Sequence, residues 1–463
     1  MAQEHERLSF KEKAGYGVGD AAANFIFQTM IIFQLAFYTD TFGITAAAAG
    51  TLFLVVRVFD AAFDPLMGVI ADRTNTRWGK FRPWILWTAV PFGIMGFLAF
   101  TTPDLTPSGK LAYAYVTYIL LMMVYSANNL PYSALSGVIT GDLDERTSLS
   151  SYRFVFAMSA AFVIQGLALP MVNFFGQGDS AKGYQYTMGI FSALAIVFFV
   201  ITFLTTKERV RPDPSQQSSI RQDFADLTRN GPWIAMFFLT IFIFITLAMR
   251  GGVMLYYFKY YLGREDLFSV FNVFGLGATI IGVVASTPLA KKYGKRDVFI
   301  AGLSVTVLLT ALFFFIPRTA IPAAFALEML RQLAYGFTIP LLWAMMADVA
   351  DYSEWKNRRR ATAIVFSAIV FGLKAGLGFG GAIGGWVLAT YGYVPNVAQT
   401  ERALQGIKLT VSIFPAVTFA IAVVCLFFYR IDKHLEIRIT DELAERRRMY
   451  TPGVAPPVAA VAP

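Results

Sequence analysis

The sequence predicts an all-α integral membrane protein of twelve transmembrane helices in two six-helix bundles, and three observations carry that expectation. Of 463 residues, 56% are hydrophobic and only 15% charged, a balance foreign to most soluble domains. Apolar runs of the length a bilayer-crossing helix needs, about 20 residues, recur from end to end. One polar stretch, KERVRPDPSQQSSIRQDFADLTRNG at 207–231, divides those runs six and six.

The runs lie near 14–40, 45–71, 83–102, 111–140, 150–175 and 184–206, then near 232–262, 267–289, 298–317, 321–347, 361–391 and 406–430. Their length and continuity fit helices rather than barrel strands, which alternate in short segments. The first follows a terminus that stays charged up to Lys13, unlike a cleaved signal peptide. The second carries Arg57, Asp60 and Asp64 and ends in the basic turn RTNTRWGKFR, after which Pro83 and Trp84 open the third. The fourth contains VYSANNLPYS (124–133), and the fifth and seventh contain Arg153 and Arg250. The eighth ends in KKYGKR. The tenth holds Glu328, Arg331 and Trp343, the eleventh holds Lys374 in the glycine-rich FGLKAGLGFGG, and the tail turns low-complexity from about 451.

The net charge of +9 follows topology. Arg73, Arg77, Lys80 and Arg82, then Lys207, Arg209 and Arg211, then Lys291, Lys292, Lys295 and Arg296, then Lys356 and Arg358 to Arg360 occupy every second loop. The alternate loops carry only Lys110, Lys182, Arg264, Arg318 and Arg402. The positive-inside rule therefore puts both termini in the cytoplasm; the expected location is the inner (plasma) membrane, with the lipid bilayer and not nucleic acid as the surroundings. Cys425 is the one cysteine, and His5 and His434 lie in the tails, so neither a disulfide framework nor histidine chemistry within the membrane is expected.

Internal echoes support the division. RWGKFRPWI (77–85) resembles KYGKRDVFI (292–300), and GDLDER (141–146) pairs with ADVADYSEW (347–355). The expected units are an N-terminal bundle (1–206), a cytoplasmic linker (207–231), a C-terminal bundle (232–432) and a cytoplasmic tail (433–463). Repeated halves are a transporter feature, with the substrate bound between them near mid-membrane and the halves rocking about it within one monomer.

Ionisable side chains inside a bilayer face a cavity and pair with one another. Arg57, Asp60 and Asp64 are spaced i, i+3 and i+7, which places them within roughly 60° on one helix face. Two carboxylates one turn apart repel, so they are expected to share a proton or bind a cation; the alternative is a static cluster that locks helix packing. Lys374 lies far from any basic loop and is expected to meet a carboxylate of the other half. Tyr125, Ser126, Asn128, Asn129 and Tyr132 around Pro131 offer a polyol its hydrogen bonds, with Trp343 and Tyr335 as candidate aromatic platforms. Asp20, two turns from Lys13, is either a site residue or an interfacial one.

DAAFDPLMGVIADRTNTRWGKFRPW (60–84), NLPYS (129–133), GDLDER with SYRF (141–154) and MMADVADYSEWKNRRRATAIVFSAIVFGLK (345–374) together resemble the glycoside–pentoside–hexuronide:cation symporters of the major facilitator superfamily. The resemblance implies cation binding by Asp60, Asp64 and Ser126, and substrate binding by Asp20, Tyr125, Asn129, Arg153, Trp343 and Lys374. It implies a cytoplasmic gate of Arg146, Asp348, Asp351, Glu354 and Arg360. Phe63 stands where the family pattern has an asparagine, which removes an amide oxygen sodium would want and moves the expected coupling ion from Na+ to H+. Asn129 replaces an acidic sugar contact, Ser133 a tryptophan and Ile339 an aromatic residue, so an acidic sugar becomes plausible. The expected function is import of a sugar or glycoside with a cation, without a cofactor. A lipid or amphiphile carrier on the same scaffold is the alternative, against which the polar cluster argues. A membrane enzyme or receptor is a weaker one, since no metal-ligand set, nucleophile elbow or phosphate loop occurs.

Overall fold

The computed structural model describes residues 7–140, 142–209, 230–357 and 362–449 of the chain. The first half forms α1 (Phe10–Ala36), α2 (Ala46–Arg73), α3 (Arg82–Ala99), α4 (Pro107–Ile139), α5 (Leu143–Gly176) and α6 (Ser180–Thr205). The second forms α7 (Gly231–Tyr256), α8 (Phe268–Tyr293), α9 (Lys295–Leu312), α10 (Ile321–Gly336), α11 (Thr338–Asn357), α12 (Thr362–Thr390), α13 (Glu401–Val411), α14 (Ile413–Phe428) and α15 (Lys433–Met449). Among the described residues, 11 segments are long and apolar enough to cross a membrane. The 18-residue α3, which opens on Arg82 and contains Pro91, fits between α4 and α6 as the twelfth. Ser9, Thr45, Thr106, Asp179, Asn230 and Thr400 cap helix N-termini with side-chain oxygens, satisfying amides that lack an in-helix partner.

Two expected spans are broken helices. The tenth divides into α10 and α11 at Phe337, because Pro340 has no N–H for the Gly336 carbonyl. The twelfth divides into α13 and α14 at Ser412, where Pro415 likewise leaves the Val411 carbonyl unpaired within the helix. The expected tail begins as α15, anchored on α11 by a bond from Trp355 Nε1 to Glu442 Oε2 (2.6 Å).

Both basic turns hinge on a glycine with left-handed φ, Gly79 at +113° and Gly294 at +93°. At the first, Glu208 accepts from the backbone N–H groups of Lys80 (2.8 Å), Phe81 (2.7 Å) and Arg82 (2.8 Å), and Arg82 donates to the Phe203 carbonyl near the end of α6 (2.7 Å).

Within the first half α1 packs on α5 and α6, and α2 on α4; within the second α7 packs on α12 and α14, and α8 on α10. The halves meet through α2 and α12, α1 and α7, and α5 and α8. Glycine makes the α12 seam possible. A Cβ on Gly380 would collide with the Ile245 carbonyl of α7, and one on Gly385 with the Ala46 carbonyl of α2. At the end opposite the termini, one apolar core runs through both halves, joining Phe37 and Tyr38 to Tyr256, Phe268 and Leu388. At the end carrying the termini, a separate core lies wholly in the second half, around Met236, Leu303, Met345 and Phe419.

Candidate functional site

A cavity of about 500 Å³ lies between the halves, within the usual range for small-molecule sites. Tyr125 and Asn129 of α4 and Arg57 of α2 line one side, and Trp343, Lys374 and Arg250 line the other. The Tyr125 ring stacks on Phe27 in the cavity wall (centroids 4.9 Å apart).

The charges of α2 and α12 form one cluster. Arg57 Nη1 lies 3.3 Å from Asp60 Oδ2, and Lys374 Nζ lies 3.2 Å from that same oxygen. Lys374 Nζ also binds Asp64 Oδ2, and the Ser126 hydroxyl donates to Asp60 Oδ1 (2.7 Å). The repulsion expected between Asp60 and Asp64 is thus offset by two cations, one from each half. Asp60 is 1% exposed, and three of the four carboxylate oxygens are engaged. Asp64 Oδ1 is buried without a donor among the described residues.

A second cluster, in the other half, has a different balance. Arg250 grips Glu328 with Nη1 (3.2 Å) and Nη2 (2.6 Å), and Arg331 grips the same carboxylate with Nε (3.0 Å) and Nη2 (2.6 Å). Arg250 Nε donates to the Val411 carbonyl that Pro415 leaves unpaired (3.0 Å). All three side chains are buried in the cavity wall.

Asp20 and Arg153, expected at the substrate site, form an ion pair (3.2 Å) outside the cavity lining, with Arg153 over the Tyr132 ring (5.3 Å). The polar segment of α4 divides likewise. Asn128 donates to Thr88 (2.8 Å) and Tyr132 to the Tyr16 carbonyl (2.6 Å), so these two serve helix packing. Tyr335 is buried against Phe419 and is a packing residue rather than a platform.

The family profile described as MFS/sugar transport protein matches residues 15–433. The inner membrane symporter YicJ of Escherichia coli (strain K12) is 39% identical over 445 residues, 96% of this chain and 96% of its own length. The putative glycoside/cation symporter YagG of the same organism is 39% identical over 457 residues, covering 98% of this chain and 99% of itself. The chain belongs to the glycoside–pentoside–hexuronide:cation symporter family. The isoprimeverose transporter of Lactiplantibacillus pentosus is 36% identical over 444 residues, covering 95% of this chain and 92% of itself. The fold matches a solved bacterial homolog of the human lysosomal transporter Spinster in an inward-facing, unoccupied conformation, with TM-score 0.65, 12% identity and coverage of 93% and 96%.

In this symporter the end opposite the termini is closed by matching devices. α1 runs into a π-helical turn (Phe37–Phe42) capped by Gly43, and α7 into another (Tyr257–Leu262) capped by Gly263. They set Asp40 against Lys259 Nζ (2.6 Å) and the Tyr260 hydroxyl (2.6 Å), with Tyr393 also donating to Asp40. Burial, with Tyr256 and Asp40 nearby, pushes the Tyr393 phenol up, so it stays protonated and remains a donor. The motifs singled out in the sequence do not include this latch, whose available signal is the pair of similar segments FYTDTFG and YFKYYLG. Asp40→Ala is expected to favour the state open at this end. A cysteine at Gln28 in a Cys425→Ser background should then react at least about tenfold faster with an impermeant maleimide applied from that side, as loss of charged hydrogen bonds implies; an unchanged rate would exclude the latch role.

Of the residues expected to form the gate at the other end, Arg146 and Asp348 bind within their own halves. Arg146 donates to the Thr140 (2.9 Å) and Gly137 (2.8 Å) carbonyls, and Asp348 binds Lys295 (2.6 Å). Asp351 and Glu354 lie on α11, and Arg360 lies outside the described residues.

Proposed function

We propose that this transporter imports a sugar or glycoside with a proton, and that Asp64, held by Lys374 beside Asp60, is where the proton binds. The observation that carries the choice of ion is Asp64 Oδ1, the one carboxylate oxygen of the cluster without a donor among the described residues. A proton needs one such oxygen. A hard metal ion needs about six, and Phe63, partly buried against the core, supplies none.

Protonation of Asp64 releases Lys374 from one of its two carboxylates, and Lys374 on α12 bridges the halves through Asp60 and Asp64 of α2. Loading the ion therefore changes a contact between the parts that must move. The sugar then binds between Tyr125 and Asn129 on one side and Trp343 on the other. Bundles 1–206 and 232–432 rock about it, and Arg146, Asp348, Asp351, Glu354 and Arg360 close the cytoplasmic end, with both termini on that side of the inner membrane and one chain sufficient. The names of the relatives, glycoside/cation symporter and isoprimeverose transporter, support the substrate class.

The test is uptake of labelled pentosides and hexosides into proteoliposomes under an imposed pH gradient or an imposed sodium gradient. Accumulation under the pH gradient alone is the expected result. Accumulation that follows sodium and ignores pH would overturn the ion assignment.

A further inference from the structure

The two charged clusters leave the cavity wall with a surplus. Arg57 and Lys374 balance Asp60 and Asp64, and Arg153 balances Asp20, but Arg250 and Arg331 share the single carboxylate of Glu328. A charge left over inside a membrane protein is costly unless something neutralises it. Each of the three nitrogens of Arg250 already has an acceptor, Glu328 for Nη1 and Nη2 and, for Nε, the Val411 carbonyl at the negative end of α13. The surplus therefore falls on Arg331, which is 3% exposed and lines the cavity.

Its neighbours are donors. Arg331 commits Nε and Nη2 to Glu328, and its Nη1 makes no hydrogen bond to a described residue. Asn272 Nδ2, in the same wall, is buried with no partner among the described residues. Gln332 Oε1 accepts from Thr279 (3.2 Å), which leaves the Gln332 amide to donate. A guanidinium edge and two amide donors without an acceptor suit a planar oxyanion, for which guanidinium has the matching bidentate geometry.

We propose that Arg331, Gln332 and Asn272 form an anion subsite in the second half of the transporter, and that its substrate is a sugar carrying a carboxylate. The proposal rests on the sugar-transport reading and adds to it which sugars are taken. The ring stays on the Tyr125, Asn129 and Trp343 side, and the carboxylate neutralises Arg331 across the cavity.

The probes are methyl β-D-glucuronide and its neutral twin methyl β-D-glucoside. Binding to the purified full-length protein is measured by calorimetry, and uptake separately in proteoliposomes under a pH gradient. The acid is expected to bind about ten- to hundredfold tighter, the margin of charged hydrogen bonds. Arg331→Gln should remove most of that margin, and Arg331→Lys, which keeps the charge and loses the fork, part of it. Asn272→Ala leaves the ion triad whole, so it tests the subsite even if the arginine variants fold poorly, and it should also narrow the margin. Equal binding of the twins by the native protein, or a margin that none of these variants changes, would overturn the subsite. Arg331-dependent binding of the acid without gradient-driven uptake would keep the subsite and refute symport. Accumulation of the glucoside with no binding of the glucuronide would do the reverse.

Discussion

Asp64→Asn is expected to abolish gradient-driven accumulation while leaving sugar exchange across the membrane intact. Asparagine keeps the shape of the side chain and carries no charge, so it imitates a permanently protonated Asp64. Lys374 keeps Asp60 at 3.2 Å, and the Arg57–Asp60 and Ser126–Asp60 bonds do not involve Asp64 at all. A carrier fixed in its loaded form still rocks with sugar bound, so counterflow persists and the internal-to-external ratio under a pH gradient falls to about unity. Asp60→Asn is expected to behave differently. Asp60 is 1% exposed and serves Arg57, Lys374 and Ser126 at once, so its loss leaves two cations with Asp64 alone. Removing one partner from a buried ion cluster costs about 3–5 kcal/mol, so exchange and accumulation should fall together. Uptake and counterflow measured on both variants separate coupling from integrity, and Asp64→Asn protein that still concentrates sugar would place the coupling group elsewhere.

That contrast marks what the sequence made legible. The shared face of Arg57, Asp60 and Asp64 follows from helix periodicity, which is local, and a lysine deep in an apolar run has to find a carboxylate somewhere. The division of labour between the two aspartates was not legible, because it depends on Ser126 reaching Asp60 from α4 and on Lys374 from α12. In the same way, the sequence shows that Asn128 and Tyr132 are polar but not that Thr88 and the Tyr16 carbonyl satisfy them. Glu328 and Arg331 were visible as intramembrane charges. Their third member, Arg250, is 78 positions from Glu328, and the local clue to its anchor was Pro415, four residues after the carbonyl it frees. That Arg146 and Asp348, two of the expected gate residues, do not bind each other has another reason. Arg146 and Asp348 are held in separate halves, in a conformation whose joined core lies at the opposite end, and no sequence motif specifies which end is closed.

Glu328→Ala should be the most destabilising single change in the second half. It leaves Arg250 and Arg331 buried side by side with no counter-charge, an uncompensated loss of about 3–5 kcal/mol before their mutual repulsion is added. The expected readout is a sharply lowered unfolding temperature in detergent, and an unchanged one would mean that the arginines find other partners. Glu328→Gln should fall between the two, since the amide oxygen still accepts but the charge is gone. The informative comparison is the triple change Arg250→Met, Glu328→Leu and Arg331→Met. Replacing a whole buried ion cluster by apolar side chains of similar volume is often neutral or better, and the main penalty here is the Val411 carbonyl, which loses its donor at about 1–3 kcal/mol. The triple variant should therefore unfold above Glu328→Ala and close to the native protein. If it does, the triad is not there to hold the helices together, because three apolar residues hold them nearly as well. Its distinguishing property would be the surplus charge it keeps on Arg331 in the cavity wall, which an acidic sugar neutralises and a neutral one does not.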